Sequence, residues 1–247
     1  MRGIISLIFL YMISINLAYV YALSTSEAIS DVETKFDNIE TYKAVYRFKV
    51  EDNEQSYTTE GEIFFKKPDK VKMEMLLVLK EPMKQTVISN GRTMWIYILK
   101  FNQASRIDID NLKAFFGADY FNYQEPNLCK PFKEMNRKTL RFLGIEKLNG
   151  EDMYVFEGEP SPLQIAQGNM PSGSKVKLWV GVKDGLQYKT SIFDESGKEV
   201  IEHTFKDFVI NQLINDYEFE FRPPSDAQVI DSTEEIKVKM KDILRKL

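Results

Sequence analysis

The stretch that decides the fold is Gly61–Tyr97, GEIFFKKPDKVKMEMLLVLKEPMKQTVISNGRTMWIY. Ile63 and Phe65 lead into Lys66-Lys67-Pro68-Asp69, where the fixed φ of proline sets up a turn. Val71, Met73, Met75, Leu77 and Leu79 then alternate with Lys72 and Glu74, the period-two pattern of a half-buried strand. Val87-Ile88 reaches Asn90-Gly91, a strong hairpin signal. Met94-Trp95-Ile96-Tyr97-Ile98 follows and is apolar on both faces. An antiparallel strand with one wet face should alternate cleanly. The second face of this strand is therefore expected to meet either a further core layer, such as a helix, or a ligand cavity.

Working outward, the same logic extends the meander on both sides. Tyr42, Ala44, Tyr46, Phe48 and Val50 alternate along one strand, Asp52-Asn53-Glu54 turns it, and Tyr57–Lys66 returns. Before them Ser26–Ile39 reads as an amphipathic helix with Ile29, Val32, Phe36 and Ile39 on one face, capped by Ser24 or Ser26. After a short strand at Gln103–Ile109 the pattern breaks. Asp110–Asn136 carries Pro126 and Pro131 with no sustained period, and long irregular segments of this kind are often functional. Hairpins resume at Leu140–Glu157 around Asn149-Gly150. Glu159–Ser174, with three prolines and two glycines, reads as a flexible flap. Strands follow at Val176–Val182, Leu186–Phe193 and Val200–Ile210, and Tyr217, Phe219 and Phe221 alternate in a last one before Pro223-Pro224. Ten or eleven strands without an internal linker predict a single all-β domain. From Ser232 the period turns helical, with Ile236, Met240, Ile243, Leu244 and Leu247 opposite a lysine-rich face and a capping-box spacing at Ser232/Glu235. This helix is expected either to pack back on the domain or to lie on a membrane surface.

Composition narrows the function. The 247 residues are 43% hydrophobic, enough for a sizeable core. A net charge of −4 with interspersed signs gives no footprint for nucleic acid. One cysteine, Cys129, excludes an intrachain disulfide. One histidine, His203, could form a nucleophile–base pair with Cys129, but neither sits in a recognisable nucleophile motif. Asp108, Asp110 and Asp119 read as a solvated acidic face rather than a metal site. No catalytic residue, metal ligand or cofactor is expected, and the chain does not read as an enzyme. At the N-terminus, Met1-Arg2 followed by the uncharged Gly3–Leu23 reads as a signal segment over residues 1–22, cleaved after Ala22, with an uncleaved anchor as the alternative. No cysteine follows that cleavage position, so the exported chain is not expected to be a lipoprotein itself.

The ordered motifs resemble a known family. Lys66-Lys67-Pro68-Asp69-Lys70, then Val87-Ile88-Ser89-Asn90-Gly91-Arg92-Thr93-Met94-Trp95-Ile96-Tyr97, is similar to the periplasmic carriers of outer-membrane lipoproteins (LolA-like). The resemblance continues at Phe115–Tyr120 and Leu178-Trp179-Val180 and closes at Phe219–Pro224, and it is nearest to the lipoprotein-sorting-protein-like branch. It implies a mainly β (α+β) protein: a strongly curved antiparallel sheet forming an incomplete barrel over residues 23–230, with a hydrophobic cavity capped by helices and loops. The helix at 231–247 is an extension. It further implies a periplasmic carrier that binds acyl chains of lipoproteins or lipid and meets inner- and outer-membrane partner proteins transiently, as a monomer. Val71, Met73, Met75, Leu77, Met94, Trp95 and Ile96 are the candidate cavity lining, although the alternation leaves open which face is inward. Methionines here, Met83 included, would adapt to a ligand of no fixed shape. Lys67 stands where the carriers carry an arginine that holds the lid, and it lacks the planar fork of donors. Val71 replaces an aromatic. A lipid-sensing regulatory module or a structural envelope protein on the same fold are the alternatives.

Overall fold

The computed structural model describes residues 23–51, 56–78, 81–117 and 127–247. The signal segment, the turn at Asp52-Asn53-Glu54 and Asp119 lie outside them. Helix α1 (Thr25–Asp37) opens the described chain. The Ser24 hydroxyl accepts from the Glu27 N–H while the Glu27 carboxylate accepts from the Ser24 N–H, a complete capping box. Six strands follow as a meander: β1 (Thr41–Glu51), β2 (Ser56–Lys66), β3 (Lys70–Val78), β4 (Met83–Ser89), β5 (Thr93–Ile98) and β6 (Gln103–Asp108). Helix α2 (Ile109–Phe116) follows β6 directly, with the Asp108 side chain accepting from the Asn111 N–H at 3.0 Å. The second meander comprises β7 (Arg141–Leu148), β8 (Glu151–Gly158), β9 (Lys175–Gly181), β10 (Gln187–Phe193) and β11 (Glu199–Ile210), with the short helix α3 (Pro162–Ala166) between β8 and β9. Asp108 thus serves as a cap and an ion-pair partner of Arg106, and no cluster of metal-ligating side chains occurs among the described residues.

The two meanders join edge to edge. β11 returns to pair with β1, Tyr46 opposite Phe205 and Phe48 opposite His203, and with a last short strand, β12 (Gln228–Asp231), the order is β12-β6-β5-β4-β3-β2-β1-β11-β10-β9-β8-β7. The result is a twelve-stranded, curved, open sheet, as the incomplete-barrel expectation requires. Gly61 sits where strands approach too closely for a side chain: a Cβ there would lie 1.8 Å from the Glu74 carbonyl oxygen. Tight approach at a glycine is one way a sheet is made to bend.

One face carries the core. By register, Tyr42 and Tyr46 on β1, Ile63 and Phe65 on β2 and Val71 and Met73 on β3 share it, and all are buried. Phe36 and Ile39 at the end of α1, with Cys129, pack against them. Along the second meander Tyr154, Phe156, Val176, Leu178 and Ile192 meet Ala28 and Val32 of α1 together with Phe132 and Met135. This is the inner face.

The last strand predicted by sequence is not one. Asp216–Phe219 is a short 3₁₀ helix inside a strap that leaves β11 and crosses the outer face. Phe219 is buried, and the Phe221 ring lies 5.7 Å from Trp95 and 5.6 Å from Tyr97. The alternation of Tyr217, Phe219 and Phe221 reflects packing on a sheet rather than pairing within it. The strap ends in β12 (Gln228–Asp231), which pairs parallel to β6. Helix α4 (Thr233–Leu244) then packs Ile236 and Met240 against Ile107 and Leu112, so it docks on the domain. The expected Ser232 side-chain cap is absent. Thr233 instead accepts from the Asp108 N–H at 2.9 Å. No helix among the described residues is long and apolar enough to cross a membrane.

Candidate functional site

The inner face is not covered evenly. Below α1 it is closed, but toward the far ends of β3, β4 and β5 the apolar side chains are only half-buried. The register places them side by side: Met75 opposite Gln85, Leu77 opposite Met83, and Val87 opposite Ile96. Met94 and Ile96 lie under α2 and α4, beside Ile107. Met75, Leu77, Val87, Met94 and Ile96 therefore form a contiguous apolar band that the fold leaves partly open. Val50 and Tyr57, on the inner face of β1 and β2, continue it toward the rim and are exposed.

The sequence-predicted residues divide three ways. Met75, Leu77, Met94 and Ile96 fall on this band. Val71 and Met73 share its face but lie deeper, packed with Phe65 and Tyr42 in the core. Trp95 is on the opposite face, paired to Ile88 and Arg106 and stacked near Phe221. The two apolar sides of β5 thus meet two different covers, helices within and the strap outside. Lys67 bridges the β2–β3 turn to α1: its ammonium donates to the Asp37 carbonyl at 2.6 Å and to Glu40 at 3.3 Å. A cation at a helix C-terminus also complements the helix dipole.

Two helices bracket the band. The Lys113 ammonium of α2 donates to Asp69 at 3.0 Å and to the Gly91 carbonyl at 3.2 Å, fastening α2 to the two turns of the organising stretch. Helix α4 begins beside β6, and the chain end reaches α3, where Lys246 and Leu247 line a surface cleft with Pro160 and Ile165. The C-terminal segment therefore joins the two arms across the open side of the sheet.

Where β1, β11 and β10 meet, the inner face is not purely apolar. Phe48 stacks 4.8 Å from Tyr46 and 4.3 Å from His203. Thr190 lies opposite His203. The hydroxyls of Tyr46 and Thr190 and one carboxylate oxygen of Glu134 are buried without a hydrogen-bond partner. Burial drives the His203 pKa below its usual value, against an opposing pull from the Glu134 carboxylate, so the imidazole is neutral at pH 7. Burial likewise raises the Tyr46 phenol. Sequence reasoning missed this cluster because only the long-range pairing of β1 with β11 assembles it. Cys129 is fully buried, and that burial raises its thiol pKa above the usual value.

Among curated proteins, 114 residues are 28% identical to phosphoribosylaminoimidazole-succinocarboxamide synthase of Clostridium perfringens, covering 46% of this chain and 45% of the relative. The chain spans about half the length of the curated relatives it matches. Among solved structures, an uncharacterized conserved protein from Thermus thermophilus shares the fold at TM-score 0.52 and 14% identity, over 83% of this chain and 98% of that one. The MucA/MucB complex of Pseudomonas aeruginosa matches at TM-score 0.46 and 14% identity, over 83% and 63%. A putative outer membrane lipoprotein-sorting protein domain from Vibrio parahaemolyticus matches at TM-score 0.38 and 13% identity, over 80% and 96%. A family model described only as "-like: Uncharacterized protein" matches residues 57–220, which is most of the chain, and the protein belongs to that family.

Proposed function

We propose that this protein binds acyl chains, of lipids or of lipidated proteins, on the inner face of its half-barrel and carries them through the periplasm toward the outer membrane. The observation that carries the reading is the band Met75, Leu77, Val87, Met94 and Ile96: apolar, contiguous and only half-buried, with Met94 and Ile96 under two helices and Met75 and Val87 at the edge of the core. Burying an acyl chain is worth about 0.8 kcal/mol per CH₂, so one long chain would be held firmly against water. Delivery to a membrane costs far less, because the acceptor offers similar burial. Such work needs opening and closing but no catalytic group, and the thiol of Cys129 is inert here. The carrier reading also fits an exported chain, partner proteins met only transiently, and action as a monomer. The docked α4 favours a carrier over a structural protein tethered by that helix.

A transfer assay tests this. Donor vesicles carrying a self-quenched fluorescent lipopeptide are mixed with unlabelled acceptors, with and without the protein. Acceleration by the protein, abolished by Leu77→Asp, is expected. Transfer no faster than the protein-free rate would contradict the carrier role.

A further inference from the structure

Within the apolar inner face, the polar atoms Tyr46 OH, Thr190 Oγ1 and Glu134 Oε2 make no hydrogen bond that would help hold the fold. The Tyr46 and Thr190 side chains are 1% and 2% exposed, and neither hydroxyl has a partner. An unpaired buried polar group costs about 1–3 kcal/mol, and phenylalanine and valine would fill the same space without that cost. Glu134, between Phe132 and Met135, which both pack on this face beside Leu178, adds a buried carboxylate oxygen that is equally unpaired. Tyr46 lies opposite Gly61, which lies opposite Met75, so with no side chain between them the Tyr46 end of the cluster adjoins the inner end of the acyl band.

We propose that Tyr46, Thr190, His203 and Glu134 form the head-group end of the acyl site, and that it takes a chain ending in an uncharged, hydrogen-bond-donating group in preference to a fatty-acid carboxylate. The inference rests on the acyl-binding reading above and specifies its ligand. Each hydroxyl can donate to a ligand carbonyl or hydroxyl oxygen, whereas the Glu134 oxygen can only accept. A ligand N–H or O–H satisfies that acceptor. A ligand carboxylate would face a like charge in a poorly hydrated setting, and the neutral imidazole brings no compensating charge. A glycerol hydroxyl of a free lipid and the acyl amide of a lipidated N-terminal cysteine both meet the requirement.

The test uses the full chain at pH 7.5 with a bound apolar naphthylamine probe, displaced by 1-monopalmitoylglycerol, by palmitate, or by a short N-palmitoyl-cysteine peptide. The monoglyceride or the lipopeptide is expected to displace the probe at about tenfold lower concentration than palmitate, as one net hydrogen bond implies. The tighter of the two identifies free lipid or lipidated protein as the source. Glu134→Gln should close the gap to palmitate, and Tyr46→Phe should weaken the uncharged ligand while leaving the probe itself bound. Palmitate binding as tightly as the others, or a preference unmoved by Glu134→Gln, overturns the head-group assignment. Failure of the native protein to bind the probe at all would overturn the acyl site itself.

Discussion

The two arms of the sheet use the same alternating pattern for opposite ends. In the β7–β10 arm, Tyr154, Phe156, Leu178 and Ile192 are closed over by α1 and by Phe132, whose ring meets Phe156 at 4.8 Å. In the β3–β5 arm every residue of β5 is half-buried, and the far half of β3 is no better covered. Aromatic rings with fixed geometry fill the first arm, whereas methionine and leucine line the second. The difference teaches where this fold keeps its stability and where it leaves apolar surface half-covered, the surface to which the proposed function assigns the ligand. An arm packed to interior density has no room for a guest, and a half-covered arm of adaptable side chains does.

Substitutions should separate the arms. Phe156→Ala removes a fully buried ring and should cost about 3–5 kcal/mol in chemical denaturation. Cutting the strap comes next: Phe221→Ala should cost about 2 kcal/mol, given the partial exposure of that ring. In a Trp179→Phe background it should red-shift the fluorescence of Trp95, the remaining tryptophan. An unchanged Trp95 spectrum would mean that the strap does not cover that face. Met75→Ala in the open arm should cost at most about 1.5 kcal/mol, below the range for a fully buried methionine, yet weaken acyl-probe binding severalfold. If Met75→Ala proves as destabilising as Phe156→Ala, the contrast between the arms is wrong.

The smallest effect concerns pH. Asp216 on the strap accepts from Lys66 at 2.7 Å and pairs with Lys70 at 2.8 Å, and these bonds lower its pKa from 3.8 to about 2. Because the folded value lies below the unfolded one, the clamp contributes stability that is present above pH 3.8 and lost as pH falls through about 2. Asp216→Asn should flatten the stability profile in that window. The residue is exposed, so only the slope is expected to change.

Much of this architecture was legible in local chemistry. Asn149 and Gly150 adopt the positive φ values that a tight hairpin requires, and the helix cap at Ser24 formed as its spacing implied. The apolar alternation of β3 correctly placed Val71, Met73, Met75 and Leu77 on one face, and the two-sided apolar run of β5 implied a second core layer or a cavity on its other face. What covers each side was not legible. Period-two alternation at Tyr217–Phe221 looks the same whether a segment joins a sheet or lies across one, and so the strap and the outward placement of Trp95 were missed. The pairing of β1 with β11 joins residues more than 150 positions apart in sequence. No local signal could bring Tyr46, His203 and Thr190 together.

The most direct test of the central claim is native mass spectrometry of the protein purified from its own cell envelope, followed by lipid extraction. The account predicts an acylated molecule bound at a defined ratio and lost on substitution of Leu77 by aspartate. A protein that arrives empty and also fails to take up a fluorescent acyl probe would contradict it.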